Sequence, residues 1–82
     1  MKIYQYHGKC NISGRAIRAE RERQGLSQEQ LAARMQVEGI PLNQKAVSRV
    51  ETGLRVVSDY ELMTFARVLR VTMEPLVGQE EG

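Results

Sequence analysis

An all-α fold of five short helices is predicted for this 82-residue chain by three observations. Apolar residues recur at helical spacing, most segments begin at a side chain able to cap a helix, and no strand-like alternation follows residue 11. The length holds one small domain and excludes a multi-domain enzyme. We divide the chain into an N-terminal arm (1–12), a compact domain (13–78) and a tail (79–82).

Each element has a local reason. In residues 1–11, Ile3, Tyr4 and Tyr6 precede His7-Gly8, which fits a short strand or an arm packed on the domain. Ser13 is a candidate N-cap for a first helix running to Gln24, and Gly25 stops it. Ser27-Gln28-Glu29-Gln30 is a capping box, followed by Leu31, Ala32 and Met35 on one helical face. Pro41 keeps Ile40 out of the helical region, so Glu38 to Leu42 breaks the pattern. Asn43 caps a third helix, from Gln44 to about Thr52, ended by Gly53. Ser58-Asp59-Tyr60-Glu61 is a second capping box, with Leu62, Phe65, Ala66 and Leu69 forming an apolar stripe behind it. Thr72 is a candidate cap for a last turn through Val77, where Pro75 fits only because it falls in the first turn.

The net charge of +2 is modest, but its distribution is uneven. Residues 1–24 carry six basic and two acidic groups, and residues 58–82 carry two basic and five acidic. The molecule should be electrically polar, with one basic and one acidic end. Cys10 is the sole cysteine, which excludes an internal disulfide and fits a reducing, cytoplasmic setting. No run of 18 apolar residues exists to span a membrane.

The third helix carries the most chemistry. At 100° per residue from Gln44, Gln44, Lys45, Ser48 and Arg49 fall at about 0°, 100°, 40° and 140°. Ala46, Val47 and Val50 fall at about 200°, 300° and 240°, the opposite arc. The apolar arc must pack on the domain. The polar arc offers an amide, an ammonium, a hydroxyl and a guanidinium outward. Those groups read base edges in the major groove, where Arg and Lys donate to guanine and Gln pairs with adenine. A solvated helix face would carry similar residues, so the neighbouring sequence has to decide.

Gly25-Leu26-Ser27-Gln28-Glu29-Gln30-Leu31-Ala32, with Val47-Ser48-Arg49-Val50-Glu51-Thr52-Gly53, resembles the helix-turn-helix domain of phage repressor and Cro proteins, the XRE-like family. The resemblance runs from about Gly14 to Gly78, and Leu69 to Thr72 is similar to the family's closing turn. It implies a compact five-helix repressor-like domain that binds double-stranded operator DNA as a two-fold homodimer. It implies that Gln44, Lys45, Ser48 and Arg49 face the bases. Gln28 would contact a phosphate and brace the recognition helix, and Ser27, Thr52 and Arg55 would hold the backbone. Arg21 and Glu51 match a pair that ties helix 1 to helix 3 by a salt bridge. The chain departs from the pattern at the turn, where Gln36 to Asn43 is about five residues longer than the family's usual connection of about four. Helix 2 is expected to extend by a turn there, with Ile40 and Leu42 joining the core.

Other candidates carry less. His7 and Cys10 are too few for a metal site, which needs three or four ligands, and no third group supports a nucleophile. No cofactor is called for, and no acid–base pair or phosphate loop points to an enzyme. Lys9 and Arg15 stand near the start of helix 1, where phosphate contact competes with an ordinary surface role. Met35, Met63 and Met73 read as core or interface filler. The leading function is a sequence-specific DNA-binding transcriptional regulator. The alternative is a protein-interaction module on the same fold, such as the antitoxin of a toxin–antitoxin pair.

Overall fold

A computed structural model describes residues 5–78. Ile3 and Tyr4, the tail 79–82 and its acidic Glu80 and Glu81 lie outside the described residues. Five helices follow one another: α1 (Gly14–Arg23), α2 (Gln28–Val37), α3 (Gln44–Glu51), α4 (Asp59–Leu69) and α5 (Glu74–Val77). No strand occurs among the described residues. Tyr6 and Lys9 form a single bridge, closed by two backbone hydrogen bonds of 2.8 and 2.9 Å across His7-Gly8. Both turn residues have positive φ, +50° and +76°, the backbone that a tight two-residue hairpin turn requires.

Three of the capping residues act as the sequence implies. Ser27 and Ser58 complete capping boxes with Gln30 and Glu61, and the Asn43 side chain accepts from the Ala46 N–H. Two do not. Ser13 makes no cap bond with its side chain; the Asn11 carboxamide reaches over it and accepts from the Gly14 N–H at 2.8 Å. Thr72 caps nothing, since α5 begins after Met73 and has no side-chain cap.

Helix α2 runs to Val37, beyond the Gln36 at which the longer connection was expected to begin, so the connection to α3 is Glu38–Asn43. It is firmly closed. Gly39 takes φ +86°, and the Ile40 N–H donates back to the Met35 carbonyl at 3.0 Å. The same six-to-one closure ends α1 at Gly25, α3 at Gly53 and α4 at Arg70, which is left-handed without being glycine. Ile40 and Leu42 are buried, and the Gln36 carboxamide donates to the Leu42 carbonyl at 2.8 Å.

The core is Ile17, Leu31, Met35, Val47, Val50, Phe65, Leu69 and Leu76, all fully buried. Val47 and Val50 form the underside of α3, and burial of each contributes about 1.5–3 kcal/mol to seating it. Met63 and Met73 are exposed rather than core residues, because α4 and α5 turn them outward.

Helices α1 and α3 come into near contact at Gly14. A Cβ there would run into the Val50 carbonyl oxygen, with the Glu51 carbonyl close behind. Backbone atoms cannot swing aside as a side chain can. Gly14→Ala is therefore expected to lower unfolding stability by about 1–3 kcal/mol in urea denaturation, by forcing α1 off α3.

Candidate nucleic-acid interface

The position of α3 is set by a chain of hydrogen bonds beneath it. Arg21 in α1 grips the Glu51 carboxylate with two donors, Nε to Oε2 at 2.6 Å and Nη2 to Oε1 at 3.0 Å. Its Nη1 donates to the Leu26 carbonyl at 2.7 Å, in the link to α2. Gln28, first in α2, donates its Nε2 to Glu51 Oε1 at 3.0 Å. Gln44, first in α3, donates its Nε2 to Gln28 Oε1 at 2.7 Å. Arg21, Glu51, Gln28 and Gln44 thus link three helices through side chains alone.

Both charges of the central pair are buried, yet the pair is fully bonded, which is the condition under which burial is tolerated. The hydrogen bonds from Arg21 to Glu51 hold its guanidinium above the ordinary arginine range.

Above this network lies the polar arc of α3. Gln44, Lys45 and Arg49 are exposed and Ser48 is half-buried. Among the described residues, the side chains of Lys45 and Arg49 make no hydrogen bond or ion pair, so their donors are available. Gln44 keeps its Oε1 and a second N–H. Thr52, one turn beyond Ser48 on the same arc, turns its hydroxyl back to the Ser48 carbonyl at 3.0 Å. Ser27 uses its hydroxyl oxygen to accept from Gln30.

Arg55 has an intramolecular partner. Its two Nη groups clasp the Glu61 carboxylate at 3.0 and 3.1 Å, and Nη1 also donates to the Val56 carbonyl. The guanidinium closes the α3–α4 link with its side chain 33% exposed.

Asn11 was not foreseen. Besides capping α1, its Nδ2 donates to the Val50 carbonyl at 3.0 Å and the Arg55 carbonyl at 2.7 Å. One side chain thus caps α1 and binds the C-terminal end of α3. Its residue type could have marked it as a cap, but nothing local in sequence points to partners 39 and 44 residues away.

Residues 17–76 match the family model for helix-turn-helix proteins. The chain belongs to the XRE/Cro-C1-type helix-turn-helix family. No curated protein and no solved structure gives a significant match. Family membership makes this helix-turn-helix protein a DNA-binding regulator at the general level. Helices α2 and α3 are its two named elements, and the six-residue Glu38–Asn43 link is the turn between them. Among the described residues, no helix is long and apolar enough to cross a membrane, and no group of three or more His, Cys, Asp or Glu side chains could hold a metal.

Two measurements test this construction. Glu51→Ala leaves the Arg21 charge buried without its carboxylate and is expected to cost about 3–5 kcal/mol in urea denaturation. Removing the exposed Arg67–Glu38 pair should cost no more than about 1 kcal/mol. For Glu61, burial works to raise its pKa, but the hydrogen bonds from Arg55 and Ser58 outweigh it and hold the carboxyl below the ordinary 4.5. A folded pKa below the unfolded one gives stability that is complete above about pH 4.5 and is lost as the pH falls through the folded value. Glu61→Gln should therefore flatten the dependence of stability on pH below about 4.5, followed by denaturation at stepped pH.

Proposed function

We propose that the protein is a sequence-specific transcriptional regulator that lays α3 in the major groove of operator DNA. The observation that carries this is the outward arc of Gln44, Lys45, Ser48 and Arg49 on a helix whose opposite side is locked by Val47, Val50 and Glu51. A base-reading helix must hold its side chains in register with base edges, and a buried underside supplies that. Lys45 and Arg49 donate to guanine, and Gln44, set by Gln28, meets the groove at the N-terminal end of α3. Gln28 and Ser27 at the start of α2 and Thr52 at the end of α3 flank this arc and contact the backbone. Arg55 braces the α3–α4 link through Glu61 and contacts the backbone through the part of its side chain that stays exposed. The domain at 13–78 does this work, and the arm at 1–12 is tied to it through Asn11.

The modest net charge implies few phosphate contacts per copy, so useful affinity calls for a homodimer on half-sites about 34 Å apart. Leu54, Val56, Tyr60 and Met63 are exposed along the segment leading from α3 into α4, which supports contact with a second copy. The same side chains favour a second reading, a module that binds a different protein such as a toxin.

Selection of bound duplexes from a random pool tests the proposal. The wild type should recover a two-fold site, and Arg49→Ala should lose about 1–3 kcal/mol of affinity and relax a single position in each half-site. Recovery of no preferred sequence would sink it, and a tight, salt-resistant protein complex would favour the second reading.

A further inference from the structure

We propose that the N-terminal hairpin and the start of α1 form a second contact with DNA, a cationic trough that takes the sugar-phosphate backbone beyond the C-terminal end of α3. The inference rests on the DNA-binding reading above. Thr52 lies at about 80° on the α3 wheel, the middle of the outward arc. The Lys9 ammonium docks there, donating to the Thr52 carbonyl at 3.2 Å. Lys9 therefore sets a cation at the C-terminal end of α3, on the residue that ends its outward arc.

The hairpin is fixed in this place. The Cys10 N–H donates to the Gly53 carbonyl at 2.8 Å, and the Lys9 stem lies so close over Gly53 that a Cβ there would collide with it. From Thr52 and Gly53 a concave surface runs between the hairpin and α1, lined by His7, Lys9, Arg15 and Arg18. Arg18 is offset by Glu22 at 3.5 Å. Arg15 is exposed and has no side-chain partner among the described residues. The first turn of α1 contains no acidic residue to offset its N-terminal dipole. Glu51 borders the same surface, but its charge is neutralised by Arg21.

The ammonium keeps two donors after bonding Thr52, and Arg15 keeps all five. Point cations held on a fixed backbone fit the oxygens of phosphate groups. The expected role is sequence-independent affinity and orientation.

The test is the salt dependence of binding to a selected duplex, with melting curves to show that each variant folds. Lys9→Gln and Arg15→Gln should each reduce the slope of log affinity against log salt by about one, equally on specific and non-specific duplexes. In the double variant, the drop in affinity between 50 and 200 mM salt should be about tenfold smaller than in the wild type. Lys9→Arg should keep the wild-type slope. A double variant that folds and binds with unchanged slope and affinity overturns the trough, while base selection by Arg49 would stand. A wild type that binds no DNA overturns both.

Discussion

The buried pair of Arg21 and Glu51 is the constraint on which the rest of this structure depends. Glu51 ends α3 and sits almost wholly out of solvent, so its carboxylate must find donors or leave a charge in an apolar interior. Arg21 supplies two and Gln28 a third. Meeting that requirement brings α1, the start of α2 and the end of α3 to one point. Gln44 then links the start of α3 to the same point through Gln28. Both ends of an eight-residue helix are held from below, and its outer face presents Lys45 and Arg49, whose side chains have no partner among the described residues.

A second fastening works on the backbone. Asn11 bonds α1, the Val50 carbonyl in the last turn of α3 and the Arg55 carbonyl beyond it, and Gly14 lets the two helices come into near contact beside it. The described segment before α1 is consequently fastened to the C-terminal end of α3 and to the residues that follow it. The uneven charge of the sequence gains a direction from this. Of the basic residues that precede Gly25, Lys9 and Arg21 bond to residues at the end of α3, while Asp59 and Glu61 open α4 on another element.

Much of this was legible in the sequence, and the reasons are local. Ser27, Asn43 and Ser58 cap within three residues of themselves, so the partner and the cap are read together. The opposition of Val47 and Val50 to Lys45 and Arg49 follows from helical geometry alone. Ser13 and Thr72 show the limit of that logic. Each has the right residue type, but a neighbour two positions earlier or a shifted helix start removed the need for it. Arg55 shows another limit, since its pairing with a carboxylate six residues away is not marked by helical spacing. The long α2–α3 link was visible as extra residues, but its closure through Gly39, Ile40 and Leu42 depends on the space under α2, which no local pattern encodes.

The account centres on α3 as a braced reading helix. The most direct test is an NMR titration of the isotope-labelled protein with a selected duplex. The largest changes should fall on the backbone of residues 44–52 and on the side-chain amides of Gln28 and Gln44. Changes confined to α4 and α5, with α3 silent, would contradict the account.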